Sequence, residues 1–157
     1  MEIFVDSREK KFNHIIKYFD QHGIKYSIIK LDVGDYCVSD NNKLVIDRKS
    51  GLEEIARNLL NKSDSARFWR EIRRSHEQGV KLVVLIESGR TVKTINDVSH
   101  WKSQYYPVTG RRMLDEMIRL EFSYGVRWEF CDKRSTGRKI IEILTGEEAE
   151  KELSAVK

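Results

Sequence analysis

Apolar positions along this chain recur with two different periods, and the switching between them predicts alternating strands and helices. Residues 3–5 are a short apolar run that ends in Asp6, as a strand with a charged end would. Phe12, Ile15, Ile16 and Phe19 then follow the i, i+3, i+4, i+7 spacing of a helix with one buried face. Gly23 is placed to stop it. Segments 26–31, 36–38 and 44–47 read as three successive strands, the last two joined by the polar turn at 39–42. Two helical stripes come next: Leu52, Ile55, Ala56, Leu59 and Leu60, then residues 66–78, set apart by NKSDS and capped by Asp64 or Ser65. LVVLIE, residues 82–87, is the continuous apolar run of a parallel strand buried on both faces. A short helix is expected within 94–103, and a longer one capped by Thr109 carries Met113, Leu114, Met117, Ile118 and Leu120. A strand at 126–130 and a helix around Ile140, Ile141 and Leu144 close the pattern, with an acidic tail from Glu147 expected to fray. Without a repeat or linker, the pattern gives one α/β domain over residues 1–146, a mixed central sheet flanked by helices.

Composition narrows the class without choosing a chemistry. The 157 residues are 39% hydrophobic and 34% charged, with a formal net charge of +4. These values fit a globular domain with its own core and permit a polyanionic partner. The distribution of charge says more. Residues 57–74 contain Arg57, Lys62, Arg67, Arg70, Arg73 and Arg74 against only Asp64 and Glu71. Cys37 and Cys131 make no disulfide framework and suit a reducing compartment. His14, His22, His76 and His100 lack the spacing of zinc ligands. The start is charged from its second residue, and no apolar run nears the roughly 20 residues of a membrane span. The expectation is a soluble intracellular protein, cytoplasmic or, in a eukaryote, nuclear, with no membrane partner.

One stretch asks for a chemical reason. In LVIDRKSGLEEIA an apolar strand runs straight into Asp47, Arg48 and Lys49 before a helix begins. Charges are costly to bury unless paired or bound to a metal. Side chains two apart on a strand share a face, so Asp47 and Lys49 look one way and Arg48 the other. If 36–38 and 44–47 pair as a hairpin, Asp35 comes to lie beside Asp47. Two carboxylates that close repel. A divalent cation would relieve the conflict and polarise a phosphoryl oxygen, with Lys49 placed to orient or deprotonate a water. The spacing alone also fits a solvated strand end with a surface ion pair. Glu9 with Lys11 repeats it where a helix start is expected and no catalytic role is read. Context favours a site. VDSRE brings Asp6, Arg8 and Glu9 to the end of the first strand, and Glu53 falls in the first turn of the helix after Lys49. Polar groups at strand ends beside helix N-termini are where α/β sheets bind ligands.

Taken together, VDSRE, LDVGDY and VIDRKSGLE resemble the nuclease domain of the XPF-type structure-selective DNA endonucleases. The signature of that family reads GD, a variable gap, ERK, three residues and D, with VDxRE on the strand before. ARFWRE and LVVLIE are similar to the next helix and strand of the same domain, so the resemblance runs from the N-terminus to about Glu87. It implies a restriction-endonuclease-like core, with Asp35 and Asp47 as ligands of Mg²⁺ or Mn²⁺ and Lys49 as the water-positioning base. It also implies that Asp6 and Arg8 support metal and phosphate, that Arg48 holds the network of the site, and that Glu53 closes it. The Glu of ERK is Asp47 here and the final Asp is Glu53, so one acid is a methylene shorter and the other a methylene longer. Relatives pair through this domain, which admits a homodimer.

Arg67, Arg70 and Arg74 are spaced i, i+3, i+7 on one side of a helix whose buried side carries Phe68 and Ile72. Such a row could meet successive phosphates, or be a solvated face laced with Glu71 and Glu77. Lys133, Arg134, Arg138 and Lys139 form a second basic patch. Trp101, Tyr105 and Tyr106 could stack on unpaired bases or belong to a core or dimer surface. The expected function is a divalent-metal-dependent endonuclease acting on branched, flap or junction DNA, as in repair and recombination. The alternatives are a nuclease fold that has lost catalysis and serves DNA binding or dimerisation, and a junction resolvase or RNA-directed nuclease on the same fold.

Overall fold

A computed structural model describes residues 1–147; the acidic tail, apart from Glu147 itself, lies outside the described residues. Six strands form one mixed sheet: β1 (Glu2–Asp6), β2 (Lys25–Ile29), β3 (Tyr36–Val38), β4 (Asn41–Lys49), β5 (Lys81–Glu87) and β6 (Arg127–Cys131). Their order is β2-β1-β3-β4-β5-β6. β3 runs antiparallel to both its neighbours, β1 and β4, whereas the remaining pairs are parallel. The three early strands expected in succession are therefore not a meander. The helix between β1 and β2 returns the chain parallel to β1, which sends β2 to the sheet edge and leaves β3 the place on the other side of β1.

Helices cover both faces, because β4 and β5 are apolar on both. Val45, Val84 and Ile86 belong to one core with Ile55 of α2 (Leu52–Leu60), Phe68 and Ile72 of α3 (Lys62–Glu77), and Met113 and Met117 of α4 (Gly110–Tyr124). Ile46, Val83 and Leu85 belong to the other, with Ile15 and Phe19 of α1 (Asn13–Gln21) and Ile140 of α5 (Thr136–Thr145). β4 therefore presents alternate residues to opposite faces up to its charged end, where Arg48 and Lys49 still pair in register with Leu85 and Ile86 of β5.

Local chemistry moved some boundaries. The break within NKSDS is a single extended residue, Asn61, which accepts from the Ser63 and Asp64 amides at 3.2 and 3.3 Å, so that α3 starts at Lys62 rather than at 66. An asparagine carboxamide caps as well as the Asp64 or Ser65 expected in that role. Thr109 does cap α4, accepting from the Arg112 amide at 3.2 Å. The short helix within 94–103 is the 3-10 helix Ile95–His100. Glu9 and Lys11 precede α1 rather than starting it, and Lys11 takes a positive φ of 52°.

The glycine of GDY is fixed by close approach. Gly34 has φ +73°, and a Cβ there would lie 3.0 Å from the Ile46 carbonyl oxygen and 3.1 Å from Val45 Cβ. Both the left-handed backbone and the crowding against β4 exclude a side chain. Gly34→Ala should lower unfolding free energy by at least about 1 kcal/mol in urea titration, the cost of a strained left-handed residue.

Candidate active site

The antiparallel placement of β3 decides where the acids meet. Asp35, at the mouth of β3, is stitched between two strand ends: the Asp6 amide donates to its carbonyl at 2.8 Å, and its own amide donates to Ile46 O at 2.7 Å. Its Oδ2 accepts from the Arg48 amide at 2.9 Å. Asp35 and Glu71 of α3 both crowd the Asp47 carboxylate, whose charge raises the pKa of each. The second Glu71 contact is the Gly34 amide, 3.1 Å from Oε1. The sequence expectation that Asp35 and Asp47 converge therefore holds geometrically. Asp47 shares its face of β4 with Lys49, whose Nζ is 3.2 Å from Asp47 Oδ2 and 5.1 Å above the Phe68 ring. That Oδ2 is buried and lacks a hydrogen-bond partner, the ammonium being near but misaligned.

The electrostatics follow from crowding. Burial, then the charge of Asp47, holds Asp35 well above the usual carboxylate range. Burial and Asp47 likewise push Glu71 up to about 8, with Lys49 opposing. Burial would strip Lys49 of its proton, but Asp47, Glu71, Glu54 and Asp35 outweigh it and raise its pKa. Lys49 is thus an ammonium, able to orient a water and balance negative charge. Among the described residues no three His, Cys, Asp or Glu groups gather closely enough to hold a metal by themselves. Asp35 and Asp47 offer two carboxylates, which by themselves would leave most of a metal shell to water or substrate.

These groups line an open cleft of about 1120 Å³ together with Arg8, Arg67, Arg70 and Arg74, so the arginine row of α3 does border the acids. Lys133, Arg134, Arg138 and Lys139 do not line it. Arg74 also donates to the Asp32 carbonyl at 3.0 Å.

Some expected site residues have other partners. Asp6 accepts from the Leu31 amide at 2.9 Å and from Arg8 Nε at 3.0 Å, so its carboxylate fixes the β2–β3 connection and Arg8. Glu53 lies in the first turn of α2 as expected, but its carboxylate binds Ser103 and Gln104 in a distant loop. Arg48 points to the opposite face from Asp47 and Lys49, where it bonds Glu9 at 3.0 Å and also Glu87. Glu9 is therefore part of a buried ion pair beneath the acids. Glu87 is bonded as well by His14 at 2.7 Å and Thr136 at 2.6 Å. Burial pushes Glu87 up, yet these bonds bring it below its ordinary range. His14 thus ties α1 to β5.

Glu71 is the residue that sequence reasoning missed: in the sequence it figures only as an acid lacing the solvated alternative for the arginine row. The available signal was its place between Phe68 and Ile72, next to the buried stripe of α3.

A mixed sheet clothed by helices on both faces, with acids and a lysine gathered at adjoining strand ends, is a restriction-endonuclease-like fold. XPF from Aeropyrum pernix has it, with a TM-score of 0.70 at 21% identity over 99% of this chain and 68% of that one. The same protein in complex with DNA gives 0.70 at 20% identity, over 95% of this chain and 66% of that one. The chain belongs to the ERCC4 domain family, which matches residues 5–143. No curated protein matches the sequence closely enough to count as a relative.

Glu71 sets a pH dependence. Its folded-state pKa of about 8 lies above the ordinary 4.5. The folded chain therefore keeps a proton that the unfolded chain loses across that window, and stability falls as pH rises through it. In metal-free buffer Glu71→Gln should raise the melting temperature at pH 8 by a few degrees and leave it nearly unchanged at pH 4, as read by thermal unfolding.

Proposed function

We propose that this chain is a Mg²⁺- or Mn²⁺-dependent DNA endonuclease that prefers branched, flap or junction DNA. The observation that carries this reading is the convergence of the buried Asp35 and Asp47 carboxylates beside the Lys49 ammonium, with Asp47 Oδ2 making no hydrogen bond and paired with that ammonium alone, in a chain of the ERCC4 domain family. The two aspartates offer the hard anionic oxygens that Mg²⁺ and Mn²⁺ take, and such ions commonly keep waters and bind substrate phosphate rather than sit in an all-protein cage. The donor set fits. A cation held there would neutralise the crowded carboxylates and polarise the scissile phosphoryl group. The Lys49 ammonium, fixed by Asp47 and the Phe68 ring, orients the attacking water and balances charge building on the phosphoryl oxygens. The water oxygen bonds to phosphorus as the phosphodiester P–O bond to the leaving strand breaks; the water's proton passes to solvent in the open cleft, and the departing oxygen takes one from it. Arg8, Arg67 and Arg70, at the same cleft, hold the neighbouring phosphates. DNA is favoured over RNA because a structural neighbour, XPF from Aeropyrum pernix, is found in complex with DNA.

Flap, fork, four-way and linear DNAs, and the same arms in RNA, incubated with and without Mn²⁺, test the reading: cutting of a branched DNA only with the ion is expected. Asp35→Asn, Asp47→Asn and Lys49→Ala should each slow cleavage by at least about 10²-fold with circular dichroism unchanged, the scale of losing a group that stabilises developing charge. Near-normal rates in all three would overturn the assignment. Arg67→Ala and Arg70→Ala should each reduce the salt slope of duplex binding by about 0.9, the share of one phosphate contact.

A further inference from the structure

The connection between the 3-10 helix Ile95–His100 and α4 is tied down more firmly than a surface loop needs. Ser103, only 8% exposed, donates its hydroxyl to Glu53 Oε2 at 2.7 Å and accepts from the Tyr105 and Tyr106 amides at 3.2 and 2.9 Å. The Gln104 amide donates to Glu53 Oε1 at 2.7 Å. Lys102 and Thr109 pair across the base of the loop, and the Val108 amide closes on Tyr106 O at 2.8 Å. Tyr106 packs against the core. Tyr105 stands out, 76% exposed, and lines the same cleft as Arg67 and Arg70.

An exposed aromatic by itself means little. This one has its amide held by Ser103, itself fixed by an acid from the helix that follows Lys49, in a cleft whose cations suit a phosphate chain. A ring on a prefixed backbone loses little freedom on binding. Every base has a π-face, so such stacking tolerates any sequence. A base inside a duplex already spends both faces on its neighbours, whereas an unpaired base has one to offer. We propose that Tyr105 is a stacking platform for an unpaired nucleobase of the strand in the cleft, with Glu53 positioning it through Ser103 and Gln104. The proposal rests on the reading of the cleft as a DNA site and gives it a preference for single-stranded character near the cut.

Fluorescence anisotropy in EDTA tests it, using the full chain, a labelled flap DNA, and the same flap made abasic along its single-stranded arm. The wild type should bind the intact arm about tenfold more tightly, within the range of one stacked base. Tyr105→Ala should bring the ratio near one, and Tyr105→Trp should keep it. Glu53→Ala should lower the ratio although the ring is still present, which distinguishes positioning from mere support of the fold. A ratio near one in the wild type, or one untouched by Tyr105→Ala, overturns the platform. Cleavage of both DNAs with Mn²⁺ is followed in parallel. Cutting without base dependence sinks only the platform, base-dependent binding without cutting sinks only the nuclease reading, and no binding at all sinks both.

Discussion

Around the end of β4, Asp35, Asp47 and Glu71 crowd a single ammonium, that of Lys49, and the charges do not balance. In water the excess would be screened; here burial amplifies it, and the two acids beside Asp47 respond by holding protons far above the ordinary range. The imbalance is a property of topology. Only a strand antiparallel to both its neighbours can start where β1 and β4 end, and only a glycine at position 34 lets the chain enter that strand pressed against β4. The fold thus gathers three acids that stay together by keeping protons on the two beside Asp47.

How it does so is visible in the alternation of β4. Asp47 and Lys49 face α2 and α3, while Ile46 and Arg48 face α1 and α5. On that second face Arg48 is clamped by Glu9 and Glu87, and Glu87 is held from α1 by His14 and at the start of α5 by Thr136. Burial would favour loss of the Arg48 proton, but these acids more than offset it and keep the guanidinium charged. An arginine suits the place because its planar fork can satisfy two carboxylates and the Lys10 carbonyl at once.

Much of this was legible in the sequence wherever the cause was local. The polar turn and period-two run that predict a β3–β4 hairpin also bring Asp35 to Asp47, and i, i+3, i+7 spacing puts three arginines on the cleft side of α3. What could not be read depends on distant partners. Glu71 owes its burial to Gly34, 37 residues away, and Glu53 finds its partner Ser103 at a separation of 50. Helix periodicity places both only as polar neighbours of an apolar stripe. The order of strands escaped for the same reason: β2 looks local to β3, yet its register is with β1.

The clamp behind β4 separates two burdens that many enzymes lay on the same atoms. Tying the strand down falls to Arg48, paired with Glu9 and Glu87 on one face, while Asp47 and Lys49 stand on the other. Changes at Asp47 and Lys49 therefore leave that tie untouched, and the shape can outlast the loss of the acids. Drift on the hidden side has no such harmless outcome, because a loosened frame spoils architecture and reactivity together.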